Sequence, residues 1–167
     1  MAIAALEAGK HVWCEKPLAL DASEAREVAE AAARAGVVNL IGFNYSLNPL
    51  IRLAQSMIAA GDIGKVMGFS GRYFEDYMAD PAVPHSWRCV RRLAGAGALA
   101  DLGSHLIDMA ETLLGPISRV FASLETVHAK RRDPASGTML AVENEDVARS
   151  LVRFAQGFGG SLEISRV

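Results

Sequence analysis

The sequence has few cysteines and no long apolar run. Cys14 and Cys89 are too few for a disulfide framework and do not have the spacing of a metal site, so we expect both to be reduced thiols. No apolar stretch approaches the roughly 20 residues that a membrane helix needs. The first residues also lack the charged and apolar regions of a secretion signal. These absences predict a cytoplasmic protein that does not enter a membrane.

The sequence also has no large excess of positive or negative charge. Lys and Arg together number 17 against 19 Asp and Glu, which gives a net charge of −2 in 167 residues. The short cluster of Arg88, Arg91 and Arg92 is interpreted as a solvated loop. We therefore expect no nucleic-acid partner. With 51% hydrophobic and 22% charged residues, the chain is expected to be globular with one good core.

Residues 1–44 alternate between helical and strand-like patterns. Two helices are predicted at residues 3–8 and 22–36, and two strands at residues 11–14 and 37–43. Asp21 with Glu24 makes a capping-box-like start for the second helix. This order favours right-handed crossovers and a parallel sheet, so residues 1–44 are predicted to be part of an α/β domain.

Residues 45–167 have a different pattern, with one helix followed mainly by strands. A helix is predicted from Asn48 to Ala60, and residues 130–137 are predicted to be a surface loop. Alternating residues predict strands at 66–77, 118–128, 146–154 and 158–166. The predicted fold class is therefore an α/β remnant followed by an α+β domain with an open, mainly antiparallel sheet and a helix packed on it.

The stretch from Gly95 to Asp108 predicts a small-residue loop that runs into that helix. At about 100° per residue, an apolar row would contain Leu102, Leu106, Met109 and Leu113. A second row, about a quarter-turn away, would contain Asp101, His105, Asp108 and Thr112. The spacing leaves three interpretations of the second row open: a solvated face, an acid/base pair or a metal site.

Residues 95–100 also have the letters of the G-x-G-x-x-A dinucleotide fingerprint. That fingerprint requires a buried apolar strand just before it, whereas residues 89–94 are short and polar. No acidic residue ends a second strand about 20 positions later. We therefore do not expect a phosphate-binding loop here.

Several ordered motifs resemble those of the Gfo/Idh/MocA family, named for glucose–fructose oxidoreductase, inositol dehydrogenase and rhizopine catabolism. The matching stretches are His11 to Pro17, Gly42 to Tyr45 with Asn48-Pro49, Trp87-Arg88, and Gly95 to Asp108. The resemblance implies an N-terminal Rossmann domain and a C-terminal α/β domain with a large open sheet. It also implies oxidation or reduction of a sugar or polyol with NAD or NADP.

The resemblance further implies that Lys16, Asp101 and His105 are the catalytic residues. The expected cofactor contacts are Glu15, Lys16, Pro17 and Asn44, and the expected substrate contacts are Tyr45, Trp87, Arg88 and Gly97. No metal site is expected. Gly97 would let the backbone approach a sugar closely.

General chemistry is compatible with these roles. Moving a hydride off a CH–OH carbon requires that the hydroxyl proton leave and that charge on the oxygen be stabilised. His105 suits the first task and Lys16 the second, with Asp101 tuning either group. The residues do not decide which of Lys16 and His105 is the base.

Simpler interpretations of four of these residues also stand. Lys16 could be a surface lysine beside a turn proline. Asn44 and Tyr45 could cap the next helix, and Trp87 could pack between domains.

The sequence also departs from the family pattern. The first strand, the glycine loop and the acidic residue for the ribose are not present, and further strands would follow the last one. We therefore expect an internal segment of a longer protein or a late-started gene. Ser46 stands where an arginine is common, and Ala96 lies in a run that is often three glycines.

Two functions remain open at this point. One is an NAD(P)-dependent oxidoreductase, and the other is a non-catalytic remnant or oligomerisation module. In either case we expect a homo-oligomer that forms through the open sheet.

Overall fold

A computed structural model describes all residues from Met1 to Val167. The chain divides into two compact units, Met1–Phe43 and Asn44–Val167. The sequence-based boundary was placed one residue later, after Asn44.

The first unit contains two helices and a two-stranded parallel sheet. Its elements are α1 (Ala2–Glu7), β1 (Val12–Cys14), α2 (Ala22–Ala35) and β2 (Asn39–Ile41). Asp21 caps α2, because its Oδ1 accepts the N–H groups of Ser23 at 2.8 Å and Glu24 at 2.9 Å. Gly36 ends α2 with a left-handed φ of 63°, which favours glycine. β1 and β2 pair in parallel, as the pattern predicts.

The second unit combines three helices with a larger sheet. Its helices are α3 (Pro49–Ala60), α4 (Arg91–Ala94) and α5 (Ser104–Leu114), and its strands are β3 (Gly68–Phe74), β4 (Ile117–Glu125), β5 (Lys130–Arg132), β6 (Met139–Ala141), β7 (Val147–Phe154) and β8 (Gly159–Ser165). A 3-10 turn occupies Trp87–Cys89, and a π-helical turn occupies Leu99–Gly103 directly before α5.

The main sheet has four strands in the order β3-β8-β7-β4. The β8–β7 and β7–β4 pairs are antiparallel, and β3 pairs with β8 in parallel. Helix α5 lies against one face of this sheet. The core between them consists of Ala98, Leu102, Leu106, Ala110, Ala148, Val152, Phe154, Leu162 and Ile164.

The apolar row of α5 differs from the prediction. Leu106 and Ala110 are buried at i, i+4 spacing, with Leu114 packed against the core. Met109 and Leu113 were predicted in this row, and neither belongs to the core cluster. The residues before Ser104 follow the wider π-helical turn, so a constant 100° step from Leu102 gives the wrong face.

The loop predicted at residues 130–137 is wrong for residues 130–132 and right for residues 133–137, which connect two strands. β5 and β6 form an antiparallel hairpin there, with Arg131 opposite Leu140. Arg131 is fully buried and donates to the carbonyl oxygens of Met78, Asp80 and Val83. The charged residues at 130–132 indicated a solvated loop, but they form a strand. The central residue, Arg131, is hydrogen-bonded to backbone carbonyl oxygens rather than to water.

None of the helices is both long enough and apolar enough to cross a bilayer.

Candidate active site

The π-helical turn and the first turn of α5 carry the two principal candidates. Asp101 lies within the π-helical turn, and His105 follows in the first turn of α5. π-Helical turns inside helices frequently occur at functional sites. The side chain of His105 is only 8% exposed. At His105, therefore, the polar row is buried, and the solvated-face interpretation fails for this residue.

Two side chains hold the carboxylate of Asp101. The Tyr77 hydroxyl donates a hydrogen bond to Asp101 Oδ2 at 2.8 Å, and Arg88 Nε lies 3.7 Å from the same oxygen. Partial burial and this hydrogen bond raise the pKa of Tyr77 well above its usual value. Tyr77 therefore stays a neutral hydrogen-bond donor throughout the neutral pH range.

The Trp87-Arg88 pair contributes to the same group. The guanidinium of Arg88 lies 4.6 Å from the centre of the Trp87 ring, which is a cation–π arrangement. Trp87 is 53% exposed, so its ring remains accessible to a ligand. Arg88 thus links an exposed aromatic surface to the carboxylate of Asp101.

Two tyrosines surround the imidazole of His105. The Tyr45 ring lies 4.8 Å from it and the Tyr73 ring 6.3 Å, measured between ring centres. The two phenol oxygens are 2.9 Å apart. The hydrogen bond with Tyr45, followed by burial, raises the pKa of Tyr73 to about 12. The imidazole thus lies beside two phenol groups that are hydrogen-bonded to each other.

The other two residues of the polar row also have partners within the unit, Asp108 through its side chain and Thr112 through its backbone. Ser46 Oγ donates to Asp108 Oδ2, and Gln55 Nε2 donates to the Thr112 carbonyl at 2.8 Å. Ser46, which stands where an arginine is common in the family, is therefore hydrogen-bonded to a side chain of the same unit. No group of three or more His, Cys, Asp or Glu side chains is arranged to hold a metal ion.

Gly97 makes an internal close contact. Its N–H donates to Glu145 Oε1 at 2.8 Å, and a Cβ built on Gly97 would lie 1.9 Å from the Glu145 carbonyl oxygen. The close approach of two protein backbones therefore already requires a glycine at this position, and the predicted substrate contact of Gly97 stays a prediction.

The sequence motifs did not identify Tyr73, Tyr77 or the buried run Asn144-Glu145-Asp146. Asn144 Nδ2 donates to the Arg88 carbonyl at 2.9 Å, and Asp146 pairs with Arg166 at 2.9 Å. All three residues of the run are at least 96% buried. In the sequence, the run is visible as three polar residues directly before the alternating apolar residues of β7. Polar residues that become buried at such a place need hydrogen-bond partners and so indicate a specific network.

In the first unit, Glu15, Lys16 and Pro17 follow β1 at the end where its parallel partner β2 also ends. The Gly42 N–H donates to the Cys14 carbonyl at 2.8 Å, and Glu15 Oε2 would lie 3.2 Å from a Cβ on Gly42. The Lys16-Pro17 peptide bond is cis, and Lys16 is half-buried. Ligands of α/β sheets bind at this carboxyl end of the strands, so the residues present fit a cofactor there.

Asn44 and Tyr45 do not cap the next helix. Asn48 does so, because its Oδ1 accepts the Leu50 N–H at 2.9 Å. Both Asn44 and Tyr45 are exposed. The capping interpretation of these two residues is therefore wrong, and their predicted cofactor and substrate contacts stay predictions.

Family models define the class of protein. Residues 1–43 match an oxidoreductase family with an NAD-binding Rossmann fold, and residues 51–167 match the GFO/IDH/MocA C-terminal domain. The chain therefore belongs to the GFO/IDH/MocA oxidoreductase family, which confirms the resemblance stated from the motifs.

Individual relatives agree with this assignment. Levoglucosan dehydrogenase from Pseudarthrobacter phenanthrenivorans is 40% identical over 99% of this chain and 46% of its own length. A structure of levoglucosan dehydrogenase with NADH and L-sorbose superposes with a TM-score of 0.94 at 41% identity, over 99% of this chain and 44% of that one. An NAD-binding oxidoreductase from Klebsiella pneumoniae has a TM-score of 0.96 at 46% identity, over 99% and 44%. The chain thus spans less than half the length of these relatives.

One prediction concerns the fold that supports the site. Gly97→Ala is expected to lower the free energy of unfolding by about 1–3 kcal/mol or more, because its methyl group would overlap the Glu145 carbonyl. Gly159→Ala is the matched control, since a Cβ there meets its nearest atom, the Val152 carbonyl oxygen, at 3.7 Å. Urea unfolding of both variants measures the effect. Equal stability of the two variants would show that the close approach is absent in solution.

Proposed function

We propose that these residues belong to an NAD(P)-dependent oxidoreductase that moves a hydride between the nicotinamide and a CH–OH carbon of a sugar, polyol or related compound. The observation that carries the proposal is the pair Asp101 and His105. They lie one helical turn apart, with Tyr77 and Arg88 on the carboxylate and Tyr45 and Tyr73 around the imidazole. The activity is proposed for the protein that carries this chain together with a complete cofactor domain.

His105 is the proposed proton acceptor. Alcohol oxidation requires loss of the hydroxyl proton, and an imidazole exchanges protons near neutral pH. The Asp101 carboxylate, fixed by Tyr77 and Arg88, supplies negative charge one turn before the imidazole.

Lys16 is the proposed electrostatic group of the first unit. Its ammonium would stabilise negative charge on the substrate oxygen, and it also suits the carboxamide of a nicotinamide. Glu15 and Pro17 are proposed as further cofactor contacts of the first unit, and Asn44 is proposed as a cofactor contact of the second unit. NAD or NADP, when bound, supplies the hydride acceptor.

The substrate contacts proposed are Tyr45, Trp87 and Arg88. Tyr45 and Trp87 are 39% and 53% exposed, and their rings suit the apolar faces of a sugar. Arg88 offers N–H donors to hydroxyl oxygens next to Asp101. Gly97 is proposed as a further contact through close approach of its backbone, since its N–H is already donated to Glu145.

The function is tested by following absorbance of the reduced nicotinamide with NAD and with NADP. Levoglucosan, L-sorbose and inositols are the first substrates to try, since relatives bind or oxidise compounds of this class. We expect cofactor reduction with at least one of them. A protein with a complete cofactor domain that binds the nicotinamide but oxidises no sugar or polyol would contradict the proposal.

Tyr77 gives a further prediction for this site. Tyr77→Phe removes the hydrogen bond to Asp101 and is expected to lower kcat by about tenfold, the equivalent of one hydrogen bond to a charged group. Asp76→Asn, an adjacent exposed residue, is the control and should leave kcat unchanged. A wild-type kcat in Tyr77→Phe would show that the phenol does not act through Asp101.

The alternative function, an oligomerisation module, is favoured by the exposed sheet. Phe121 and Leu151 are paired across β4 and β7, and they are 74% and 64% exposed. Large apolar side chains side by side on an open sheet are typical of an interface, and we propose a second copy of this chain as the partner. The cytoplasmic location also stays a prediction.

Light scattering tests the oligomeric state. The wild type is expected at twice the chain mass, and Leu151→Glu at the monomer mass, because a buried charge would weaken the interface. Leu124→Glu is the control, since Leu124 points to the opposite face from Phe121 by strand alternation. A monomeric wild type would refute this proposal.

A further inference from the structure

Glu145 lies in the last turn before β7, and it is 96% buried. A buried carboxylate is costly unless hydrogen bonds satisfy it. Nothing in the roles proposed above uses Glu145. Its contacts therefore need their own explanation.

The contacts of Glu145 are concentrated on residues 97–99, where the π-helical turn begins. Its Oε1 accepts the N–H groups of Gly97 at 2.8 Å and Leu99 at 2.9 Å. Its own carbonyl oxygen accepts the Ala98 N–H at 3.0 Å. Three consecutive backbone N–H groups are thus bound by one residue, and bonds to a carboxylate are stronger and shorter than neutral ones.

The same segment leads directly to the candidate acid/base pair. The Asp101 N–H donates to the Gly97 carbonyl at 3.1 Å, so Gly97 is bound to Glu145 on one side and to Asp101 on the other. His105 follows one turn later on the same continuous helix. A shift of residues 97–99 would therefore be passed on to Asp101 and His105.

We propose that Glu145 is a positioning residue of the dehydrogenase site. It does not touch the reacting atoms. It fixes the start of the helical segment that carries Asp101 and His105, so that both side chains keep one orientation. Gly97 is required for this positioning, because only a glycine allows the Glu145 backbone to come this close.

Glu143 provides a matched control two residues away. Its Oε2 also accepts a backbone N–H, that of Arg91 at 2.7 Å, and its carbonyl oxygen also accepts from Arg91. Helix α4, which begins at Arg91, carries none of the proposed site residues. If both carboxylates only stabilised the backbone, alanine substitutions at Glu143 and Glu145 would have the same effect on activity.

The experiment compares Glu145→Ala, Glu145→Gln and Glu143→Ala. Glutamine keeps an oxygen that accepts both N–H groups, whereas alanine removes it. The kinetic part rests on the proposed function and uses the protein with its complete cofactor domain. We expect Glu145→Ala to lower kcat by about 10²-fold with a small change in KM, since a displacement near 1 Å costs about that much. Glu145→Gln should recover most of the loss, and Glu143→Ala should match the wild type.

A second measurement does not depend on catalysis. The ring proton resonances of His105 respond to ring currents from Tyr45, whose ring centre is 4.8 Å away. In the 167-residue chain, Glu145→Ala should shift these resonances and speed amide exchange at Gly97 and Leu99, while Glu143→Ala leaves them in place. Should Glu145→Ala not fold, Glu145→Asp, which withdraws the oxygen by one methylene, is expected to give the same changes.

The outcomes separate the two proposals. A wild-type protein with no dehydrogenase activity refutes the function, and the His105 resonances still decide the role of Glu145. Folded Glu145→Ala or Glu145→Asp with wild-type His105 resonances would overturn the positioning role. The positioning role would also be overturned if Glu143→Ala and Glu145→Ala lost the same amount of activity.

Discussion

Replacing His105 by asparagine is expected to lower kcat by about 10²–10⁴-fold, the usual contribution of a general base. Asparagine keeps a polar side chain of similar size but takes up no proton at neutral pH. KM should change much less, because the residue acts on the hydroxyl proton as the bond breaks. Steady-state kinetics with the substrate found for the wild type measures both constants.

A control separates loss of the base from loss of a buried histidine. His128 Nε2 lies 2.9 Å from the Ala79 carbonyl oxygen, and His128 has none of the proposed catalytic or binding roles. His128→Asn should therefore keep kcat within about twofold of the wild-type value. The corresponding change in activation free energy is well under the roughly 1.4 kcal/mol of a tenfold effect. If His105→Asn is nearly as active as the wild type, Lys16 takes the role of base, and Lys16→Ala should then show the larger loss.

Replacing Asp146 by alanine is expected to lower the free energy of unfolding by about 3–5 kcal/mol, the cost of breaking a buried ion pair. Asp146 Oδ1 lies 2.9 Å from Arg166 Nε, and both side chains are at least 99% buried. The other carboxylate oxygen accepts the N–H groups of Val127 and His128. The substitution thus leaves a buried guanidinium and two backbone donors without their acceptor. Urea unfolding measures the loss.

An exposed ion pair in the same sheet is the control for Asp146. Arg149 Nη1 and Glu125 Oε2 are 3.1 Å apart, with side chains 58% and 56% exposed. Glu125→Ala should cost less than about 1 kcal/mol, because water screens the pair. Equal losses in Asp146→Ala and Glu125→Ala would mean that the buried pair is hydrated in solution.

Local rules predicted the elements of this fold well, because their signals lie within a few residues. Asp21 and Gly36 delimit α2 as their capping chemistry predicts, and Asn48-Pro49 begins α3. The strand alternation of β7 and β8 also matches the structure. These features depend on backbone conformation and on which face is apolar, and both are written in the local sequence.

Contacts between distant residues were beyond the reach of the sequence. Tyr77 and Asp101 are 24 residues apart, and Glu145 and Gly97 are 48 residues apart. Periodicity describes one helix or strand at a time, so it cannot show which carbonyl or carboxylate a buried group will meet. For the same reason the motifs identified Asp101 and His105 as candidates but did not reveal the phenols around them.

The charged run at residues 130–132 shows a second limit. Composition indicated a solvated loop, whereas Arg131 is buried among three backbone carbonyl oxygens in a hairpin. The free energy of burying such a group depends on the partners that the fold supplies. Those partners, at Met78, Asp80 and Val83, come from a segment about 50 positions earlier.

The most direct test of the account is isotope transfer. A substrate deuterated at the CH–OH carbon is incubated with the protein and NAD or NADP, and the reduced nicotinamide is analysed by mass spectrometry and NMR. Hydride transfer at this site should place one deuterium at C4 of the nicotinamide, with a large loss of transfer in His105→Asn. Product formed with the deuterium released to water, or with none in the nicotinamide, would contradict hydride transfer by this site.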